Sequence, residues 1–151
     1  MEQLLAHFWG DFVLQSDWMA LNKKKPGVQG WIPVLAHSLV YTLMFVMLVH
    51  SWAALAVIFV THAVIDHYSF LSKFIWARNC LAPKWIKRTG RVVGDDFDPN
   101  VIWTARNYPW RSCKNNLGFS PERPDFLVWL IFIVIDNTLH LTINYAAIRW
   151  L

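Results

Sequence analysis

The chain has 151 residues, of which 56% are hydrophobic and ten are Trp, and its formal net charge is +4. A chain of this length is too apolar for an ordinary soluble domain, and its apolar residues form blocks with the charges between them. This pattern excludes a typical soluble enzyme and predicts a single integral membrane domain over residues 1–151. The positive charge then reflects membrane topology and not nucleic-acid binding.

The first apolar segment, residues 4–21, is interrupted by His7, Asp11 and Gln15. Hydropathy alone would favour an interfacial or re-entrant helix, but these polar residues share one helical stripe that neighbouring helices could bury. We therefore expect a full span, with a re-entrant helix as the alternative. The Met-Glu-Gln start lacks a basic region and a small-residue cleavage site, so no cleavable signal peptide is expected.

Three further apolar segments, residues 32–49, 52–77 and 126–148, are long enough to cross a bilayer. The predicted fold is therefore an all-α, four-helix membrane bundle. The polar loop between the last two segments, residues 78–124, is rich in aromatic residues, which predicts contact with lipid headgroups. Cys80 and Cys113 lack CxxC spacing and are expected to be reduced thiols.

The basic residues predict the orientation. Three lysines, Lys23 to Lys25, lie in the first loop and nine Lys or Arg residues lie between Arg78 and Arg123. With four spans both loops face the same side, and the positive-inside rule makes that side cytoplasmic and places both termini outside. The expected location is a bacterial inner (cytoplasmic) membrane. Membrane lipids are the expected partners, nucleic acid is not, and homo-oligomerisation is left open.

Three pairs of His and Asp, each four residues apart, lie inside apolar segments. Residues four apart share one face of a helix, and ionisable residues inside a membrane are costly and usually functional. At about 1.5 Å per residue, the three Asp lie roughly 15–17 Å and the three His roughly 21–23 Å from the cytoplasmic edge. The third pair is reversed because its helix runs outward. The pairs are therefore predicted to meet near the midplane; they are His7 with Asp11, His62 with Asp66, and His140 with Asp136.

These residues predict a divalent metal site. Imidazole and carboxylate together bind zinc, which we expect first, and also manganese or iron. His37 lies roughly 8 Å inside the same edge, and it could join the site through helix tilt or support it from outside. One metal with a spare Asp as base, two metals bridged by carboxylate, and hydrogen bonds between helices without metal all remain open. A b-type haem would gain nothing from three buried carboxylates.

Three segments follow the pattern HxxxD-F-x-x-Q, then His, then HxxxDH: His7–Gln15, Leu35–Ser38 and Thr61–His67. In these segments and in Lys73–Asn79 the chain resembles a small uncharacterised family of bacterial and phage inner-membrane proteins. The resemblance covers residues 4–80 closely and the rest loosely. The family is more distantly similar to membrane-bound metal-dependent hydrolases, and that likeness implies a hydrolytic activity.

Two functions follow as hypotheses. The first is an intramembrane metal-dependent hydrolase that acts on a lipid or lipid-linked substrate, with Asp66 or Asp11 as general base. The second is a non-enzymatic membrane protein, either an ion or proton conduit or a module that interacts with a phage or host membrane. A conduit should carry ionisable residues to both surfaces, whereas those of this chain gather near the midplane.

Overall fold

The computed structural model describes residues 1–68, 70–80, 88–89, 102–103, 117–119 and 123–151. Within them the chain is almost entirely helical. The elements in chain order are α1 (Glu2–Phe8), a π-helical segment (Trp9–Val13), α2 (Asp17–Asn22), α3 (Val28–Phe45), α4 (Trp52–His67), α5 (Phe70–Cys80), β1 (Arg88–Thr89), β2 (Ile102–Trp103) and α6 (Asp125–Trp150). The two short strands pair antiparallel.

Two helices, α3 and α6, are long and apolar enough to cross a membrane, and there are three such spans if α4 and α5 together make one crossing. At about 1.5 Å per residue, α6 reaches roughly 39 Å, more than the roughly 30 Å of a bilayer's hydrocarbon core. The described residues thus support a helical membrane protein, whereas the four-helix count stays a prediction.

The prediction of one continuous helix over residues 4–21 is wrong. The segment consists of α1, the π-helical segment and α2, with a break at residues 14–16. Ser16 causes the restart, because its side chain accepts a hydrogen bond from the backbone N–H of Met19 at 3.4 Å and caps α2. The predicted helix at 52–77 is likewise interrupted, since α4 ends at His67 and α5 begins at Phe70. Most of the predicted loop 78–124, including Cys113, lies outside the described residues.

The chain forms two compact units, the first made of Met1–Ser69 with Asn137–Leu151 and the second of Phe70–Asp136. In the second unit, the Asn79 side chain donates a hydrogen bond to the carbonyl oxygen of Leu117 at 2.9 Å. The guanidinium of Arg123 lies 4.8 Å from the Phe119 ring centre. The bond from Asn79 holds the 117–119 turn against α5.

The first unit contains the apolar core and every contact of the candidate site below. Its core is a set of small and large apolar side chains from α1, α3, α4 and α6: Ala6, Tyr41, Phe45, Ala54, Leu55, Ile58 and Ala147. Beside this core lie fully or almost fully buried polar side chains, while large apolar side chains such as Phe12, Leu39 and Val60 are more than half exposed. A protein surrounded by lipid is expected to bury its polar side chains and to expose apolar ones.

Candidate metal centre

The centre of the first unit is a pair of facing histidines. His37 from α3 and His62 from α4 are at most 1% exposed, and their Nε2 atoms lie 3.0 Å apart. Among the described residues the Nδ1 atom of each ring has no hydrogen-bond partner. The His62 ring is instead oriented by stacking on Tyr41, with ring centres 3.8 Å apart. Both rings therefore direct Nε2 toward one point.

Two carboxylates converge on the same point. Asp11 Oδ1 lies 3.3 Å from His37 Nε2 and 3.4 Å from His62 Nε2. Asp66 Oδ2 lies at the same two distances, 3.3 and 3.4 Å, from the same two nitrogens. Asp66 reaches them from one turn further along α4, the i,i+4 spacing seen in the sequence. We call Asp11, His37, His62 and Asp66 the His/Asp cluster.

The distances from the two imidazole nitrogens to the carboxylate oxygens fit tetrahedral metal coordination. Zinc bonds of about 2.0–2.2 Å to nitrogen and oxygen place neighbouring ligand atoms of a tetrahedron about 3.3–3.6 Å apart. The four carboxylate-to-imidazole separations are 3.3–3.4 Å, and the two nitrogens are slightly closer at 3.0 Å. Asp11, His37 and His62 could hold a metal ion by the convergence of their ligand atoms, and Asp66 Oδ2 lies within 3.4 Å of both imidazole nitrogens.

The π-helical segment delivers Asp11. Its wide turn is closed by the Leu14 N–H, which donates to the Trp9 carbonyl oxygen at 2.9 Å. Gly10 lets this turn lie against α3, because a Cβ there would come within 2.5 Å of the Tyr41 ring and 3.1 Å of its Cα. Single π turns recur at functional sites, where they re-aim side chains.

Lys23 contacts the cluster from the turn after α2. Its Nζ donates to Asp66 Oδ2 at 2.8 Å. In the amide orientation that satisfies both of its polar atoms, Gln15 accepts from Lys23 Nζ and donates to the Asp11 carbonyl oxygen, both at 3.0 Å. A cation and an amide thus join the two carboxylate-bearing segments.

His7 lies beside the cluster and belongs to a separate hydrogen-bond chain. Its Nδ1 is 3.4 Å from Asp11 Oδ2 and 2.7 Å from the Tyr41 hydroxyl. Its Nε2 donates to the side-chain amide oxygen of Asn137 at 2.7 Å, and the Asn144 amide donates to the Tyr41 hydroxyl at 2.6 Å. The chain therefore runs from Asn144 through Tyr41 and His7 to Asn137, and the His7 ring lies beside Asp11.

His140 of the third predicted pair lies beside the cluster. It is buried, and its Nε2 lies 3.8 Å from Asp66 Oδ1. Asp136 is the last residue of the second unit, so its predicted role as a ligand stays a prediction. Seven residues were predicted to bind metal. The structure brings together side-chain atoms of four of them, Asp11, His37, His62 and Asp66, while His7 and His140 lie beside these four.

Three residues of the site escaped sequence reasoning. Asn137 carried no signal, since a lone Asn in an apolar span has many ordinary uses, and the signal for Tyr41 was weak. Lys23 belongs to a lysine run that membrane topology already explains. A polar residue one helical turn after His37 was the available clue to Tyr41, because residues four apart share a helix face.

Comparison with known protein families matches the part of the chain that contains the His/Asp cluster. A family model described as a protein of unknown function, DUF3307, matches residues 1–88. The chain belongs to this family. Its match contains the whole His/Asp cluster and Lys23, whereas Asp136 and His140 lie beyond it. This confirms the resemblance to an uncharacterised family. No curated protein and no solved structure matches the chain, so the remote likeness to hydrolases stays a prediction.

Proposed function

We propose that the protein is an intramembrane metal-dependent hydrolase whose zinc ion is bound by Asp11, His37, His62 and Asp66. The observation that supports this most strongly is the convergence of two carboxylate oxygens on the facing imidazole nitrogens, with each oxygen 3.3–3.4 Å from both nitrogens and the nitrogens 3.0 Å apart. Two nitrogen and two oxygen ligands in a tetrahedral set suit zinc, and manganese or iron would accept the same donors.

Charge balance supports a divalent ion. Two carboxylates share the cluster with two imidazoles whose Nε2 atoms face each other, and the side chains of Asp11 and Asp66 are 14% and 6% exposed. Buried charges need compensation, and Lys23 compensates only one of them. A divalent cation at the centre would balance both carboxylates and give both imidazole nitrogens a partner.

The proposed reaction adds water across an ester or phosphoester bond. A bound zinc ion supplies polarisation of the substrate oxygen and a more acidic water. Of the two carboxylates, Asp11 is the better base, because Asp66 is held by Lys23 at 2.8 Å and Asp11 is the more exposed. Asp11 would take a proton from the attacking water as the water oxygen bonds to carbon or phosphorus. The bond to the leaving oxygen would then break, and the proton held by Asp11 would pass to that oxygen.

The substrate class follows from the surroundings. His37 lies in α3, which is apolar enough to cross a membrane, and the outer surface of the unit carries exposed side chains such as Phe12 and Val60. A lipid or lipid-linked substrate reaches such a site by lateral diffusion without leaving the bilayer.

Reconstitution tests the activity. Zinc-loaded protein in vesicles made from a total lipid extract of bacterial inner membranes should release hydrolysis products that mass spectrometry detects. Asp11→Asn should abolish the release. Asp17→Asn, which alters an exposed carboxylate on α2, should leave it unchanged.

One observation favours the non-enzymatic alternative. Four protein ligands fill a tetrahedral shell, and closed shells are typical of structural zinc sites, whereas catalytic sites keep one position for water. Hydrolysis therefore requires Asp11 to yield its position. Wild-type protein that binds zinc and releases no product from the lipid extract would establish the structural role and reject the hydrolase.

A further inference from the structure

Lys23 differs from the two lysines that follow it. Its side chain is 16% exposed and its Nζ lies 2.8 Å from Asp66 Oδ2, whereas Lys25 is exposed. Membrane topology explains a lysine run at this end of the segment, but it does not explain why one member turns inward to the cluster.

The backbone of Lys23 is held in place by several contacts. Its carbonyl oxygen accepts a hydrogen bond from His67 Nδ1 at 2.9 Å, and the His67 ring stacks on Trp31 with centres 4.2 Å apart. The turn that contains Lys23 folds closely over the start of α3, because a Cβ on Gly30 would overlap the Lys25 carbonyl oxygen. These contacts thus fix the backbone of Lys23 beside the cluster.

The charges of the loaded site add to an excess of positive charge. Among the charged residues that the first unit brings to the cluster, Asp11 and Asp66 contribute two negative charges, which a divalent ion cancels, and the Lys23 ammonium then adds one positive charge beside it. An unbalanced charge in a poorly solvated site strongly favours binding of an opposite charge. We infer that Lys23 forms, with the proposed metal ion, a binding site for a phosphate-bearing anion. This inference rests on the proposed metal site and narrows its substrate to phosphoesters.

The exposed edge of the cluster fits this role. Asp11 and Lys23 have side chains 14% and 16% exposed, whereas His37 and His62 are at most 1% exposed. An anion therefore approaches on the side of Lys23. The lysine stem is flexible and its ammonium group carries three donors, so Nζ can turn from Asp66 to a phosphate oxygen without moving the backbone.

Phosphate binding tests the inference on detergent-solubilised, full-length protein. Metal content is measured first by elemental analysis, and the affinity for inorganic phosphate is then measured by calorimetry with zinc present. Lys23→Gln should keep its zinc and lose at least about tenfold in phosphate affinity, because a charge-assisted hydrogen bond is removed. Lys25→Gln is the matched control and should bind phosphate as the wild type does.

A second arm separates a free phosphate from a lipid headgroup. The same variants are mixed with phosphatidylcholine vesicles that contain or lack phosphatidic acid, and binding is measured by co-flotation. Stronger Lys23-dependent binding to phosphatidic acid than to inorganic phosphate identifies a headgroup, and the reverse identifies a soluble anion.

The outcomes separate the two proposals. Wild-type protein without bound zinc would reject the metal site, and the anion site with it. Zinc-loaded protein whose phosphate affinity is the same in wild type and Lys23→Gln would reject the anion site alone.

Discussion

Among single residues, Tyr41 contacts more of the side chains around the cluster than sequence reasoning suggested. Its hydroxyl lies 2.7 Å from His7 Nδ1 and accepts a hydrogen bond from Asn144 at 2.6 Å, while its ring stacks on His62. The Tyr41 ring therefore orients His62, and the Tyr41 hydroxyl orients His7, which lies beside Asp11. Both neighbours are at most 2% exposed, so neither can exchange this partner for water.

We predict that Tyr41→Phe destabilises the protein without releasing metal. The ring and its stacking on His62 remain, but His7 and Asn144 lose a buried partner, which costs about 1–3 kcal/mol of unfolding free energy. Unfolding in detergent, followed by circular dichroism, measures the loss. Tyr145→Phe is the control, since Tyr145 is 56% exposed. Equal stability of the two variants would contradict the assigned role of the hydroxyl.

The sequence identified the histidines and carboxylates of the site but neither Lys23 nor the geometry. Pairs four residues apart correctly predicted that Asp66 and His62 share a face, because that spacing depends only on local helix structure. His37 was placed below the Asp layer by its height along a straight helix, yet its Nε2 lies 3.3 Å from both carboxylates. Heights of backbone atoms omit helix tilt and the reach of a side chain.

The π-helical segment is the element on which the position of Asp11 depends. It packs on α3 only because Gly10 has no side chain, and it ends in the break before α2. Hydrophobic periodicity assumes a regular helix, so it could not predict a turn of this kind within residues 4–21. The polar stripe of residues 7, 11 and 15 was nevertheless correctly predicted to face other parts of the chain, as the contacts of all three side chains show.

We predict that Gly10→Ala weakens metal binding. The added Cβ would meet the Tyr41 ring at 2.5 Å and its backbone at 3.1 Å, so the segment must move away from α3 and carry Asp11 with it. Zinc affinity, measured by competition with a chromophoric chelator, should fall by at least about tenfold because a ligand leaves its position. Val13→Ala is a suitable control, since that side chain is exposed. Unchanged affinity in Gly10→Ala would show that Asp11 is not a ligand.

On the scale of the whole molecule, the chain combines apolar helices with a buried polar site. Composition predicted the membrane character, because the number of apolar residues far exceeds what a core of this size can bury. The number of crossings was harder to predict, since interruptions within residues 4–21 and at the end of α4 divide two apolar segments into shorter helices.

The charge distribution predicts the orientation of the chain. In a protein whose native cysteines are replaced by serine, a cysteine at Ser51 should react with a membrane-impermeant maleimide added to intact cells. A cysteine at Lys25 should react only after the membrane is opened, because the basic loops are expected to be cytoplasmic. The opposite labelling pattern would show that the basic loops face outward and that the predicted orientation is wrong.

The central claim is that the His/Asp cluster binds a metal ion. Elemental analysis of protein purified in mild detergent, after exchange into zinc-containing and then metal-free buffer, tests it directly. The wild type and His50→Ala, which alters an exposed histidine, should retain stoichiometric zinc, whereas His37→Ala and Asp66→Asn should lose it. Wild-type protein without bound metal and with the same stability in chelator, or cluster variants that keep their zinc, would contradict the claim.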